Sequence, residues 1–133
     1  MIPGSDSEHP TFIRSFGYAL QGFATAVATE RNIKVQLAVG AAVVIAGIAI
    51  GLNWLEWCIV CVCIGLVIFG ELVNTSLEAA VDLATAELHP LAKRAKDIAA
   101  ASVLVLSVTA AVAGALVFAH ALGLLGFLGI KLV

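Results

Sequence analysis

Residues 57–84 read WCIVCVCIGLVIFGELVNTSLEAAVDLA and decide the fold. The stretch carries no charge up to Phe69 and then places four polar residues at positions i, i+3, i+7 and i+11: Glu71, Asn74, Glu78 and Asp82. At about 100° per residue these side chains fall within an arc of about 80° on one helix. We call this row of three carboxylates and one amide the acidic stripe. It begins where the predicted helix leaves the lipid.

The acidic stripe is costly beside a membrane and is therefore predicted to have a function. Carboxylates in or next to a span are rare and usually mark a functional site. On one face of a helix they repel one another unless protons or a metal cation lie between them. Mg²⁺ with a bound phosphate suits such a row, because this ion binds through one or two carboxylates together with substrate phosphates.

Two other functions are open for the acidic stripe. A small channel or proton-coupled subunit uses buried acids as an ion path, which spreads acids through the depth of the membrane. A structural or assembly subunit uses carboxylates only to cap helices. Here the acids gather at one end of the spans on a single stripe, which favours an enzyme that handles a water-borne phosphate compound.

The composition is that of one integral membrane domain. The 133 residues are 62% hydrophobic and 12% charged, with a mean hydropathy of +1.09, and a soluble domain of this length is far more polar. The net charge of −2 gives no basis for nucleic-acid binding, which requires a basic face. The sequence contains neither G-x-x-x-x-G-K-[ST] nor G-x-G-x-x-G, so ATP would bind without a standard nucleotide fold.

Three apolar runs are long enough to cross a bilayer, which takes about 20 helical residues. The predicted fold class is all-α integral membrane, with a transmembrane domain over residues 31–133 and spans at about 35–52, 57–84 and 98–125. A short connection at residues 52–57 carries two tryptophans. Tryptophan prefers the membrane interface, so this connection is predicted to mark one bilayer surface.

The first 30 residues are predicted to lie outside the spans. Residues 1–10 are polar and proline-containing and are predicted to be a flexible tail. Residues 11–30 are predicted to form an amphipathic helix in the membrane interface. Its apolar side chains recur at steps of four, four, three and four: Phe12, Phe16, Leu20, Phe23 and Val27.

The basic residues predict the orientation, because cytoplasmic loops carry an excess of Lys and Arg. They lie before the first span and between the second and third spans, whereas the tryptophan-containing connection has none. The N-terminus and the acidic stripe are therefore predicted to be cytoplasmic and the C-terminus to be outside. The residues concerned are Arg14, Arg31, Lys34, Lys93, Arg94 and Lys96.

The second loop, residues 87–97, is the other polar region. Pro90 predicts the start of the third span helix, because proline fits the first helical turn. Lys96 and Asp97 lie deepest and are predicted to belong to a site, whereas Lys93 and Arg94 are interpreted as a solvated basic collar. His89 is either a base, a phosphate contact or a loop residue before the proline, and His9 and His120 are assigned no role.

The three cysteines lie in the second span, and Cys58 and Cys61 form a C-x-x-C. Such a pair can be a redox centre or half of a zinc site. Neither a second pair nor a nearby histidine completes a zinc site here. The cysteines are therefore interpreted as small apolar residues of a membrane helix.

Two blocks of this sequence resemble a known family. Residues 71–82, ELVNTSLEAAVD, and residues 93–97, KRAKD, resemble the blocks E-[LI]-[LVI]-N-[ST]-x-[LI]-E-x-x-V-D and A-K-D of the small prokaryotic diacylglycerol kinase family. The resemblance extends from about Phe12 to about Phe118. It implies a homotrimer in the bacterial cytoplasmic membrane, with three membrane helices and an N-terminal surface helix per subunit. It also implies active sites shared between subunits, and transfer of the γ-phosphate of ATP to a lipid hydroxyl with Mg²⁺.

The resemblance further implies roles for individual residues. Glu71 matches the catalytic base, and Glu30 and Glu78 match the carboxylates that hold Mg²⁺ and ATP. Asn74 matches the amide beside the base and, with Asp82, is assigned to support of the substrate. Nucleotide contacts are implied at Tyr18, Glu30, Glu78, Glu87, His89, Lys96 and Asp97.

The lipid substrate is open between two branches of that family, which act on undecaprenol and on diacylglycerol. Residues 89–93, HPLAK, resemble the undecaprenol branch, whereas the diacylglycerol branch usually has H-E-L-S-G at this place. The difference favours undecaprenol without excluding diacylglycerol.

Overall fold

The computed structural model describes residues 11–124 and Gly126, which form four α-helices. In chain order they are α1 (Phe12–Thr29), α2 (Arg31–Ile50), α3 (Trp54–Ala84) and α4 (Pro90–Ala121). The described residues contain no strand, so the all-α prediction is confirmed. The predicted tail at residues 1–10 lies outside the described residues, as does most of the glycine-rich C-terminal end.

Helices α2, α3 and α4 are each long and apolar enough to cross a membrane, which confirms the predicted fold class of three membrane helices and an N-terminal helix. The 31 residues of α3 extend over about 46 Å. The hydrocarbon core of a bilayer is about 30 Å thick. About ten residues of α3 are therefore in excess of what the lipid core requires.

The connection between α2 and α3 is shorter than predicted. Gly51 ends α2 in the left-handed region at φ 78°, which glycine adopts without strain. The Asn53 side chain then accepts two hydrogen bonds of 3.0 Å from N–H groups in the first turn of α3, and Glu56 accepts one of 2.7 Å from the Asn53 N–H. This capping box begins the helix at Trp54. The predicted connection at residues 52–57 was wrong, because the local cap and not the hydropathy sets the boundary.

Helix α4 begins where the sequence predicts. Pro90 occupies its first position, and the His89 side chain caps the helix by accepting a hydrogen bond of 3.1 Å from the Leu91 N–H. The missing N–H of the proline has no intrahelical acceptor at this position, so the proline costs nothing there. The predicted start is confirmed.

Helix α3 is the centre of the packing, since it contacts each of the other three helices and packs most extensively on α4. A Cβ atom built on Gly70 would lie 2.5 Å from Cδ1 of Leu106, so α4 passes very near the residue that precedes the acidic stripe. Most large apolar side chains of the membrane helices are exposed in the single chain. Lipid or other subunits therefore have to cover them.

A cavity of about 350 Å³ lies among α2, α3 and α4. Its walls are mostly small and apolar, and Gly40, Val67 and Gly114 are among them. The polar side chains of Gln36 and Ser107 also line it. Val67 precedes Glu71 by about one helical turn, so the cavity reaches to within about 6 Å, along the helix axis, of the start of the acidic stripe.

Candidate active site

The four residues of the acidic stripe lie on one face of α3, but their burial differs. Glu71 and Asn74 are buried, at 4% and 8% exposure. Glu78 is half-buried and Asp82 is exposed. Because a carboxylate loses hydration when it is buried, the stripe changes from a dry end at Glu71 to a wet end at Asp82.

Groups from other parts of the chain surround Glu71. The Gln36 side chain of α2 lies beside the Glu71 carboxylate, and the charges of Glu78 and Glu30 act on it. Glu30 is the residue between α1 and α2, where the Thr29 hydroxyl donates a 3.1 Å hydrogen bond to its Oε1. The fold thus brings the junction of α1 and α2 near the stripe.

Asn74 has one satisfied and one unsatisfied amide atom. Its Nδ2 donates a hydrogen bond of 3.1 Å to Oε1 of Glu78. Its Oδ1 is buried and has no hydrogen-bond partner among the described residues. A carboxylate only accepts hydrogen bonds, so the Glu78 contact fixes the orientation of the amide. The free Oδ1 is a buried acceptor beside Glu71, and a buried acceptor without a donor is costly.

Lys96 connects α4 to the wet end of the stripe. Its Nζ lies 2.5 Å from Oδ1 of Asp82, and both side chains are partly exposed. Asp97 instead pairs with Lys93 of its own helix, also at 2.5 Å. Exposed pairs of this kind contribute little stability, about 0 to 1 kcal/mol. The Lys96 ammonium can therefore exchange Asp82 for another anion at little cost.

The remaining predicted nucleotide contacts are His89, Tyr18 and Glu87. Nδ1 of His89 is used in the helix cap, so the neutral ring carries its proton on Nε2, which is a donor. The side chains of Tyr18 and Glu87 make no hydrogen bond within the part of the chain that is described. Both residues are exposed, Tyr18 on α1 and Glu87 in the loop before α4.

The carboxylates can be tested for their fit to Mg²⁺. No group of three or more His, Cys, Asp or Glu residues among those described is arranged to hold a metal ion. Mg²⁺ does not need such a group, because it keeps several water ligands and binds through one or two carboxylates plus phosphate oxygens. Glu30 and Glu78 supply carboxylates of this kind near Glu71. The residues therefore fit a magnesium ion that arrives with a phosphate compound.

Sequence reasoning missed Gln36. It lies in the apolar run of the first span, and its Nε2 donates a hydrogen bond of 3.4 Å to the Ser107 hydroxyl of α4. A lone amide in a membrane helix is a signal in itself, because lipid offers it no partner. Its position beside Glu71, however, depends on the packing of α2 against α3, which no local pattern reveals.

Comparison with known proteins gives one family. The sequence model of the family described as prokaryotic diacylglycerol kinase matches residues 17–118. An undecaprenol kinase of Bacillus subtilis is 42% identical over 107 residues, which cover 80% of this chain and 87% of that protein. A diacylglycerol kinase of Synechocystis is 38% identical over 106 residues, which cover 79% of this chain and 61% of that protein. A diacylglycerol kinase of Helicobacter pylori is 45% identical over 53 residues, 40% of this chain and 41% of that protein.

Proposed function

The chain belongs to the prokaryotic diacylglycerol kinase family and is a lipid kinase, and we propose that it transfers the γ-phosphate of ATP to the hydroxyl of undecaprenol in a Mg²⁺-dependent reaction. Family membership favours an enzyme over the channel and the assembly subunit considered from the sequence. Beyond lipid kinase activity, we propose that ATP is the phosphate donor, that Mg²⁺ is the metal and that undecaprenol is the lipid.

The observation that carries the proposal is the position of the dry end of the stripe. Glu71 is 4% exposed and lies about one turn of α3 beyond a wall residue of the apolar cavity. A lipid alcohol whose first carbons enter that cavity would bring its hydroxyl to Glu71. A water-borne triphosphate would meet the half-buried and exposed end at Glu78 and Lys96. One stripe can therefore serve a substrate from the lipid and a substrate from water.

The chemistry follows from the acceptors at the dry end. The lipid hydroxyl donates its single hydrogen bond to Glu71, which removes the proton, and Asn74 borders the hydroxyl and holds Glu78 through its Nδ2. The oxygen attacks the γ-phosphorus, a new P–O bond forms, and the bond to the β-phosphate oxygen breaks to release ADP. The removed proton remains on the Glu71 carboxyl. Positioning of the two substrates supplies much of the rate enhancement.

The negative charge of the phosphates is balanced by Mg²⁺ and by donors around the exposed end of the stripe. Mg²⁺, when bound with ATP, neutralises phosphate charge and would be held by Glu30 and Glu78. Lys96 moves from Asp82 to a phosphate oxygen, and the Nε2–H of His89 donates to another. Tyr18, Glu87 and Asp97 border the nucleotide. Asp82 holds the lysine when no nucleotide is bound.

Undecaprenol is favoured over diacylglycerol by two features. Residues 89–93, HPLAK, match the undecaprenol branch better than the diacylglycerol branch. Over nearly the same length, the chain is also 42% identical to the relative named undecaprenol kinase and 38% identical to the Synechocystis diacylglycerol kinase. The two lipids differ near the hydroxyl, since one is a prenol and the other an ester of glycerol.

The proposed assembly is a homotrimer in the bacterial cytoplasmic membrane. The N-terminus and the active site face the cytoplasm, where ATP is, and the C-terminus faces outside. The apolar faces left exposed by the single chain support an oligomer. A shared site is supported by the open, wet end of the stripe, where a neighbouring subunit could close around the nucleotide.

The proposal is tested by transfer of radiolabelled phosphate from ATP to lipid with the purified protein in detergent. Undecaprenol and diacylglycerol are compared at equal mole fractions, with Mg²⁺ and with a chelator. We expect transfer to undecaprenol, loss of transfer without Mg²⁺, and weaker transfer to diacylglycerol. Preferred transfer to diacylglycerol would refute the lipid assignment, and activity in the chelator would refute the role of the metal.

A further inference from the structure

The buried carboxylate of Glu56 lies far from the active site and takes no part in the proposed reaction. It is 6% exposed, at the beginning of α3. Fifteen residues separate it from Glu71, which corresponds to about 22 Å along the helix. A buried carboxylate is costly unless both oxygens have partners, so its surroundings require an explanation.

Both oxygens of Glu56 have partners, and these come from two helix ends. Oε2 accepts a hydrogen bond of 2.7 Å from the Asn53 N–H. Oε1 lies 2.7 Å from Nδ1 of His120, which is near the end of α4 and 64 residues away in sequence. A capping box needs only the first contact and is usually at the surface. The burial of Glu56 is therefore explained by the second contact, to His120.

We propose that Asn53, Glu56 and His120 form an acid-sensitive clasp that holds the beginning of α3 against the end of α4. Glu56 accepts hydrogen bonds without also donating one only while it is ionised, and it then accepts from the Asn53 N–H and from Nδ1–H of His120. His120 can donate this hydrogen bond whether its ring is charged or neutral, because the neutral ring can keep its proton on Nδ1. The clasp therefore tolerates loss of the histidine proton.

Acid acts on the clasp through Glu56. In acid His120 carries both ring protons, so both oxygens of a protonated Glu56 face N–H donors while one of them carries an O–H group. At least one contact then becomes donor against donor, and the stronger, charge-assisted form of both hydrogen bonds is lost. Half-exposed His120 gives protons a route to the pair. Acid therefore opens the clasp.

No other titratable side chain among the described residues faces the pair. The adjoining cavity of about 460 Å³ is lined by Glu56 and His120 and otherwise by residues that do not titrate. The connection from α2, residues 51–53, has no ionisable side chain. Cys58 is two positions along α3 and therefore lies on the other side of that helix. On the topology proposed above, this end of the molecule faces the outside of the cell.

Thermal unfolding of the full chain in detergent tests the clasp, with kinase activity followed in parallel. We expect His120→Ala to lower the melting temperature by several degrees at neutral pH, and His120→Gln, which keeps a donor, to lower it less. Leu122→Ala, at an exposed neighbour, is the matched control. A His120→Ala variant as stable as the control would overturn the clasp.

Acid sensitivity is tested with Glu56→Gln, which resembles the protonated carboxyl. Wild-type protein should lose more stability than this variant as the pH falls through and below the ordinary carboxyl range, from about pH 5 to about pH 3. Equal losses would overturn the acid response. If Glu56→Gln does not fold, nitrogen chemical shifts of the His120 ring in wild-type protein decide the matter. Nδ1 should stay protonated above neutral pH, and a neutral ring protonated on Nε2 would overturn the proposal.

Discussion

Glu71 and Asp82 lie on the same face of α3, about three turns apart, yet their surroundings are opposite. Glu71 is buried beside Gln36 and near two other carboxylates, whereas Asp82 is exposed and paired with Lys96. A buried carboxylate is a stronger base than a hydrated one, because burial disfavours its charge. The difference in burial therefore supports the proposal that Glu71 removes the proton and that the phosphates bind near the other end of the stripe.

The role of Glu71 is tested by Glu71→Gln, which keeps the shape and removes the base. We expect kcat to fall by about 10²- to 10⁴-fold, the usual contribution of a general base. The melting temperature and the oligomer size should not fall, because the amide no longer buries a charge. Both are measured on the same preparation. Near-normal turnover in this variant would remove Glu71 from the mechanism.

The role of Lys96 is tested by Lys96→Met, which removes the ammonium and keeps the length of the side chain. The Lys96–Asp82 pair is exposed, so the free energy of unfolding should change by less than about 1 kcal/mol. The KM for ATP should rise several-fold, because a charge at the phosphates is lost, while the KM for lipid should change little. Arg94→Met, two residues earlier on α4, is the control, and an equal effect in both variants would contradict a specific contact.

At the scale of the helices, the sequence predicted what hydropathy and local caps control. The three apolar runs correctly predicted the membrane helices, and Pro90 correctly predicted the start of α4. The start of α3 was predicted too late, because Asn53 and Glu56 cap a helix whose first turn still resembles an interfacial loop. The contact of Glu56 with His120 could not be predicted, since 64 residues separate the two and only helix packing brings them together.

The two functions of His89 can be separated at this scale, because one nitrogen caps α4 and the other is available to a phosphate. His89→Asn can keep the cap, as asparagine is a good cap residue, but it loses the Nε2 donor. His89→Ala loses both. If His89 contacts the nucleotide, both variants should raise the KM for ATP, and only His89→Ala should also lower the melting temperature. Wild-type kinetics in His89→Asn would leave His89 with the cap alone.

For the whole molecule, the proposed path from lipid to water combines the cavity with the acidic stripe. The sequence showed the stripe, because helical spacing alone places its four residues on one face. It did not show the cavity, whose walls come from three helices and consist mostly of residues common to any membrane span. Gln36 was missed for the same reason. It lines the cavity and also lies beside Glu71, so it connects the two features.

The path is tested by closing the cavity while leaving the stripe intact. Gly114 lines the cavity, and a Cβ atom built on it has no other atom within 4 Å, so Gly114→Leu can fold with its side chain in the open space. If the carbons next to the lipid hydroxyl bind there, the KM for undecaprenol should rise several-fold while the KM for ATP stays constant. Gly65→Leu is the matched control, because Gly65 is equally uncrowded but does not line the cavity. An unchanged KM for lipid in Gly114→Leu would mean that the substrate reaches Glu71 by another route.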